Sequence, residues 1–87
     1  MKIKTVYYSS HFKKSLKKFK SKHPLIKRQI KSFLDNPFHP RFKTHQLSGK
    51  FKGYWSFSID YRLRILFEFI NQETIGFIDI DTHSIYR

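Results

Sequence analysis

The stretch of residues 54–69 constrains the fold of this chain more than any other segment. Its apolar residues alternate with serines in the first half and with Arg62, Arg64, Leu66 and Glu68 in the second half. A period of two is typical of a strand that buries one face. The stretch therefore predicts two paired strands that build a core on one face and carry arginines on the other. The alternating apolar residues are Trp55, Phe57, Ile59, Leu63, Ile65, Phe67 and Phe69.

The length of 87 residues predicts a single small domain, residues 1–87. A domain of this size buries only about 60% of its unfolded surface, so its core must be dense. Ten Phe, five Tyr and one Trp supply a large apolar area per residue. The chain has no cysteine, which excludes disulfides and thiolate metal sites. It also has no long apolar run and no signal-peptide pattern, so we expect a cytoplasmic protein without a membrane partner.

The charge balance is strongly basic, with 18 Lys and Arg against 6 Asp and Glu and a formal net charge of +12. No acidic residue precedes Asp35, whereas lysines are dense in that part of the chain. Such an asymmetry predicts a polyanionic partner, either nucleic acid or an acidic protein segment. The alternative is a solvated lysine face that only keeps the protein soluble.

The order of elements along the chain is β-α-α-β-β-β, which places the protein in the α+β class. A first strand is predicted from Ile3 to Tyr8, and Ser9 or Ser10 can cap a first helix. A second helix is predicted with Pro24 in its first turn, ending at Asn36-Pro37. The last strand is predicted from about Thr74 to Asp81, with Ile78 and Ile80 alternating against Phe77 and Asp79. The helix stripes are Phe12, Leu16 and Phe19, then Ile26, Ile30, Phe33 and Leu34.

Between the second helix and the paired strands, residues 37–53 lose regular periodicity and form a predicted loop. Pro40, Gly49 and Gly53 punctuate this loop, which is rich in basic side chains. Loops on a rigid scaffold often carry functional sites. We therefore predict phosphate contacts here, although a solvated loop is the alternative for the lysines. The basic residues are Arg41, Lys43, His45, Lys50 and Lys52.

Three segments together resemble the RelE/ParE superfamily of bacterial toxins. They are HQLSGKFKGYWS at residues 45–56, YRLRILF at 61–67 and THSIY at 82–86. The resemblance covers nearly the whole chain and is closest to the mRNA-cleaving members of the YafQ, YoeB and RelE/StbE type. It implies a small antiparallel sheet with the basic helical hairpin packed on one side.

The resemblance also implies a function, that of the toxin in a type II toxin–antitoxin system. Such a toxin is an endoribonuclease that cuts mRNA in the A site of the 70S ribosome and is held inactive by a cognate acidic antitoxin. It uses no metal and no cofactor. A base activates the ribose 2′-OH, the oxygen attacks the neighbouring phosphorus, and an acid protonates the leaving 5′-oxygen. The few, scattered acidic residues of this chain are consistent with metal-independent chemistry.

Carried over residue by residue, the resemblance assigns the general base to His45 and the stabilisation of phosphate charge to Arg64. Arg62, two residues earlier and on the same predicted face, would assist in binding the substrate. The alternative for His45 is an exposed loop histidine without a task. The alternatives for Arg64 are an outward, solvated arginine or an ion pair with Asp79 or Asp81 on a neighbouring strand.

The resemblance places His83 near the leaving group and Tyr86 as the aromatic side chain that stacks on a base. Here the chain departs from the family pattern, because Tyr86 follows His83 by three residues instead of four. Lys43, Lys50 and Lys52 are the remaining substrate-binding candidates. The lysines of the helical hairpin are assigned to ribosomal RNA, where contacts with phosphates position the protein without reading sequence.

Two functions from other classes stay open at this point. A ParE-like toxin that inhibits a DNA topoisomerase would share the fold without needing His45, Arg64 and His83. A non-catalytic basic RNA-binding module would explain the lysines but not the combination of these three residues.

Overall fold

The computed structural model describes residues 2–82 and confirms the α+β class and the predicted order of elements. It adds a two-residue strand, which the sequence placed within a loop. The elements are β1 (Thr5–Tyr8), α1 (Ser10–Phe19), α2 (Ile26–Asp35), β2 (His45–Gln46), β3 (Trp55–Ser58), β4 (Leu63–Asn71) and β5 (Thr74–Thr82), with short 3₁₀ turns at Pro40–Phe42 and Gly49–Phe51. Within the described range, neither helix has the length and apolar character needed to cross a bilayer.

The five strands form one sheet in the order β1-β5-β4-β3-β2. All neighbours are antiparallel except β1, which pairs with β5 in parallel. The predicted first strand is also shorter than expected, because Ile3 does not belong to it. The Ile3 N–H donates to the Leu34 carbonyl (2.9 Å), and the Ile3 side chain is buried. The start of the chain is thus attached to the end of α2 before it enters the sheet.

Helix α1 begins where β1 leaves the sheet, and Ser9 makes both connections. The Ser9 Oγ accepts a hydrogen bond from the Phe12 N–H (2.9 Å), which is an N-cap, and its hydroxyl donates to the Ile78 carbonyl (2.6 Å). The Ser9 N–H donates to the Phe77 carbonyl (3.1 Å). Of the two predicted caps, Ser9 is the one used, and it anchors α1 to β5.

Helix α2 buries the predicted stripe, with Ile26, Ile30 and Phe33 buried and Leu34 half-buried. The helix begins at Ile26, so the prediction that Pro24 lies in its first turn is wrong. Pro24 lies in the preceding turn, which the Ile26 N–H closes by donating to the His23 carbonyl (3.0 Å).

The core is a cluster of phenylalanine rings between the helices and one face of the sheet. Phe33 of α2 stacks on Phe57 of β3 with a centroid distance of 3.6 Å and an interplanar angle of 4°. Phe42 and Phe67 meet Phe33 edge to face at 5.6 and 5.2 Å. Aromatic pairs of this kind add about 0.5–1.5 kcal/mol each beyond their buried area. Phe42, which the sequence placed in a loop, is therefore a core residue that anchors residues 37–53.

Strand β5 contains a bulge that changes which residues face the core. Leu66 lies opposite Asp79 and Phe67 lies opposite Phe77, so Ile78 is an extra residue in the ladder. As a result Phe77 and Ile80 are both buried although they are three residues apart. The predicted alternation of Ile78 with Phe77 is wrong for this physical reason, and the bulge places the Ile78 carbonyl within reach of Ser9.

The stacking of Phe33 on Phe57 leads to a stability prediction. Phe33→Ala should lower the free energy of unfolding by about 3–5 kcal/mol, because it empties a fully buried site in contact with several rings. Leu25→Ala is the matched control, since Leu25 is 54% exposed and should change stability by about 0.5 kcal/mol or less. Urea unfolding followed by circular dichroism measures both. Equal losses for the two variants would contradict the assignment of Phe33 to the centre of the core.

Candidate active site

His45 lies on the face of the sheet opposite the helices. Its register partner is Ser56 of β3, which in turn lies opposite Leu66 of β4. Directly opposed residues of antiparallel strands share a face, and successive residues alternate between faces. Since Phe57 and Ile65 face the core, His45 and Ser56 face the other side. The ring of His45 is exposed there, at the edge of the sheet.

Arg64 lies on the same face as His45. It is opposite Ser58 in β3 and two residues from Leu66. Residues two apart in a strand share a face, so Arg64 is on the face of Leu66, Ser56 and His45. Two strand spacings of about 4.8 Å and two residues of about 3.3 Å separate the Cα atoms of His45 and Arg64, or roughly 12 Å. Both side chains are long enough to converge on a phosphodiester lying between them. Arg64 is half-buried, in contrast to the exposed His45.

One contact defines which nitrogen of His45 is available for proton transfer. The Nδ1 atom lies 2.7 Å from the carbonyl oxygen of Lys43. A carbonyl oxygen can only accept a hydrogen bond, so the neutral ring must carry its proton on Nδ1. The Nε2 atom then carries the lone pair of the exposed ring. This is the tautomer that can remove a proton from a hydroxyl group.

Asp79, one of the two predicted alternative partners of Arg64, is bound by α1. The Ser15 hydroxyl donates to its Oδ1 (2.8 Å), and the His11 Nε2 lies 3.2 Å from its Oδ2. The Asp79 Oδ1 also accepts a hydrogen bond from the N–H of the next residue, Ile80 (2.7 Å). These contacts attach the middle of α1 to β5 and identify a structural role for Asp79.

Arg62 does not lie on the strand, which corrects the prediction that it shares a face with Arg64. Residues 59–62 form a turn, and Arg62 is exposed with its guanidinium 5.2 Å from the Tyr61 ring centroid. The Asp60 Oδ1 accepts from the N–H groups of Arg62 (2.8 Å) and Leu63 (2.9 Å). By holding these two N–H groups, Asp60 keeps Arg62 out of the ladder and starts β4 at Leu63.

Asp60 also connects the turn to the helical hairpin. Its Oδ2 lies 3.2 Å from the Nδ1 of His23, a residue for which the sequence predicted no role. Partial burial raises the pKa of Asp60, but the hydrogen bonds from Arg62 and Leu63 and the nearby His23 outweigh it, and the pKa is lowered below its ordinary value. The carboxylate is therefore favoured in the folded state.

The loop between β2 and β3 forms a concavity of about 390 Å³ beside the sheet edge. Gly49 and Gly53 have positive φ values of 66° and 96°, which a residue with a side chain rarely adopts. Lys52 lines the concavity, whereas the Lys50 ammonium lies 5.3 Å from the Phe51 ring centroid. Both lysines are exposed. The concavity is also lined by Gln46 and Trp55, which pair with each other on the face opposite to His45, so the structure does not bring Lys52 together with His45.

His83 and Tyr86 lie outside the described residues, and their predicted roles stay predictions. Within residues 2–82, no group of three or more His, Asp or Glu side chains is close enough to hold a metal ion.

A second surface feature, which the sequence did not predict, lies between the two helices. It is a groove of about 400 Å³, here called the hairpin groove. Its floor is apolar and its rim carries lysines from both helices. Tyr8, at the end of β1, lines the groove and is 44% exposed. The lining residues are Tyr8, Phe12, Leu16, Ile30 and Leu34, with Lys13, Lys27 and Lys31 at the rim.

Comparisons with known proteins agree with this architecture. No family model and no curated protein sequence matches the chain. Solved structures do match. YafQ from E. coli strain BL21(DE3) has a TM-score of 0.77 at 18% identity, covering 94% of this chain and 96% of that chain. YafQ in the E. coli DinJ–YafQ complex has a TM-score of 0.72 at 21% identity, covering 94% and 96%.

Two further structures extend the comparison. The YoeB/ParE toxin from Agrobacterium tumefaciens has a TM-score of 0.72 at 16% identity, covering 92% of this chain and 99% of that chain. A metal-bound toxin from Helicobacter pylori has a TM-score of 0.75 at 23% identity, covering 95% and 98%. The predicted resemblance to the RelE/ParE superfamily is confirmed at the level of the fold.

The lowered pKa of Asp60 leads to a prediction about acid stability. A carboxylate whose pKa is lowered on folding stabilises the protein above its ordinary pKa of 3.8, and this contribution is lost as the pH falls through the lower folded value. Asp60→Ala should cost about 1 kcal/mol at neutral pH, a small value because the side chain is 42% exposed. Asp60→Asn is the matched variant, since its amide oxygen can still accept from Arg62 and Leu63.

Asp60 can stabilise the protein as a hydrogen-bond acceptor and through its negative charge. Urea unfolding at about pH 7 and about pH 3 distinguishes these two contributions. We expect Asp60→Asn to be less destabilising than Asp60→Ala at neutral pH, and its difference from the unmodified protein to shrink in acid. A difference that stays the same at both pH values would contradict a contribution from the charge.

Proposed function

We propose that this protein is the toxin of a type II toxin–antitoxin system and a ribosome-dependent endoribonuclease that cleaves mRNA without a metal ion. The observation that carries the proposal is the placement of His45 and Arg64 on one face of the sheet, with the His45 Nδ1 in contact with the Lys43 carbonyl. An exposed base beside a strand-held guanidinium is the arrangement that phosphodiester cleavage by a neighbouring hydroxyl requires.

The reaction is a transesterification within the substrate, in which the 2′-oxygen replaces the 5′-oxygen on the phosphorus. The His45 Nε2 takes the proton of the ribose 2′-OH, and the 2′-oxygen attacks the adjacent phosphorus. Negative charge that develops on the phosphoryl oxygens is stabilised by Arg64. The bond to the 5′-oxygen breaks, and His83 supplies the proton of that leaving group. The products are a 2′,3′-cyclic phosphate and a 5′-hydroxyl end, so no water is consumed in this step.

The basic helical hairpin supplies two separate surfaces for macromolecular partners. The YafQ toxin has been crystallised with DinJ, in the E. coli toxin–antitoxin complex. By analogy, an acidic antitoxin would bind this chain, and the hairpin groove suits an amphipathic segment with apolar residues in the centre and carboxylates at its edges. The lysines that point away from the groove remain available for the phosphates of ribosomal RNA.

The first test concerns catalysis. His45→Ala, Arg64→Ala and His83→Ala should each lower the rate of mRNA cleavage on translating ribosomes by about 10²–10⁴-fold. The matched controls are His11→Ala and Arg28→Ala, which remove the same side-chain types from exposed helix positions. Single-turnover cleavage with mapped mRNA ends is the measurement. If the triple variant cleaves at the normal rate, the proposed site is wrong.

The same assay separates the alternative functions. Cleavage should persist with a chelator while the ribosome stays intact, and the upstream fragment should end in a 2′,3′-cyclic or 3′-phosphate. A 3′-hydroxyl end would exclude attack by the 2′-OH. Inhibition of a DNA topoisomerase without any new mRNA ends would favour the ParE-like function, and ribosome binding without cleavage would favour a plain RNA-binding module.

A second test separates the two surfaces of the hairpin. Replacing Lys14, Lys17 and Lys18 with Gln should weaken ribosome binding and flatten its salt dependence, by roughly one counterion for each phosphate that the variant no longer neutralises. Replacing the groove lysines Lys13, Lys27 and Lys31 with Gln is the matched set of equal charge change. This set should weaken binding of the acidic antitoxin more than binding of the ribosome. If both sets affect the two partners equally, the hairpin acts through its total charge and not through separate surfaces.

A further inference from the structure

Lys43 has a backbone conformation that no other non-glycine residue in the range 2–82 shares. Its φ of 51° and ψ of 39° lie in the left-handed region, where the Cβ of an L-residue is crowded by the backbone. This conformation sets the direction of the Lys43 carbonyl, the group that reaches the Nδ1 of His45 at 2.7 Å. An unfavourable backbone conformation persists only when its surroundings hold it in place.

The residues that precede Lys43 in the chain hold it in place. Phe42 is 2% exposed and packs edge to face on Phe33 and Phe57, which attaches the 3₁₀ turn to the core. The Lys43 N–H donates to the Pro40 carbonyl (3.2 Å), closing that turn. The turn itself begins at His39, whose Nδ1 accepts from the Arg41 N–H (3.2 Å).

The chain is also held on the side that follows Lys43. The Thr44 hydroxyl donates to the carbonyl of Pro37, a buried residue two positions after the last residue of α2. His45 then enters the ladder opposite Ser56. With both flanks fixed, the left-handed residue between them is determined by the fold, and so is the position of its carbonyl.

We propose that Lys43 is a positioning residue for His45 and that it acts through its left-handed backbone, not through its ammonium group. The inference rests on the proposed function in one respect, that His45 is the general base. Free neutral histidine favours the proton on Nε2, so the Lys43 carbonyl reverses the intrinsic preference of the ring. When Nε2 takes a proton from the substrate, Nδ1–H stays bonded to the carbonyl, which stabilises the imidazolium and keeps the ring oriented.

Two uncharged variants separate the backbone of Lys43 from its charge. Lys43→Gly removes the ammonium and tolerates the left-handed conformation. Lys43→Val removes the same charge, but its β-branched side chain disfavours that conformation. Lys43→Asn is a third variant, because asparagine enters the left-handed region more readily than most residues and keeps a side chain.

Two measurements are needed, one of which does not depend on nuclease activity. Nitrogen-15 NMR of the imidazole rings in the free protein identifies the tautomer of His45, and the signals of His11, His23 and His39 report whether the fold is intact. Single-turnover cleavage of ribosome-bound mRNA gives the rate, measured over pH. We expect Lys43→Gly and Lys43→Asn to keep the Nδ1–H tautomer and cleave within a few-fold of the unmodified protein.

Lys43→Val should lose the tautomer preference and cleave about 10–100-fold more slowly, part of the roughly 10²–10⁴-fold contribution of a positioned base.

Equal losses of rate in Lys43→Gly and Lys43→Val, with the tautomer unchanged in both, would overturn the proposal in favour of an ammonium–phosphate contact. An Nε2–H tautomer in the unmodified protein would overturn it regardless of activity. If Lys43→Val does not fold, the Lys43→Gly and Lys43→Asn results still decide between backbone and charge. A correct tautomer response without any mRNA cleavage would support the positioning role and count against the proposed nuclease.

Discussion

The ring of Phe33 contacts elements that are far apart in the sequence and packs them together. It stacks on Phe57 of β3 and contacts Phe42 and Phe67, so α2, the turn at residues 40–42 and two strands meet on one side chain. A domain of this size has little buried area to offset its conformational entropy, which makes such shared contacts important. The aromatic cluster therefore fixes both the helical hairpin and the start of the candidate site relative to the sheet.

The charge distribution on the surface depends on where the few acidic residues lie and which basic side chains they contact. Each described contact between a carboxylate and a Lys or His side chain joins two parts of the fold: the chain start to the end of α2, the residue before β1 to the β4–β5 turn, the hairpin to the β3–β4 turn, and α1 to β5. Exposed contacts of this kind contribute little free energy, so their effect is to place these four carboxylates beside basic side chains. The excess of lysine then dominates the outer surface and favours polyanionic partners. The pairs are Lys2–Asp35, Lys4–Glu73, His23–Asp60 and His11–Asp79.

The sequence predicted those features that depend on local periodicity and missed those that depend on contacts between distant residues. The alternation in residues 54–69 correctly gave the faces of β3 and β4, and Ser9 was a correct cap. The bulge at Ile78 could not be predicted, since it arises where α1 attaches to β5. Strand β2 has only two residues, too few for any period to be visible. Arg62 was misplaced because the turn depends on the side chain of Asp60, whose other oxygen is held by His23.

His45 and Arg64 share a face of the sheet, but the fold fixes them by different means. Arg64 is flanked in β4 by Leu63 and Ile65, both buried, so packing of the core determines where its guanidinium begins. His45 is in a short edge strand with little core of its own, and its ring depends on the turn that ends at Lys43. A reaction that needs both groups on one phosphate is sensitive to displacements of about 1 Å. Because Phe33 contacts both Phe42 in that turn and Phe57 in β3, next to β4, these two ring contacts together fix the distance between the two groups.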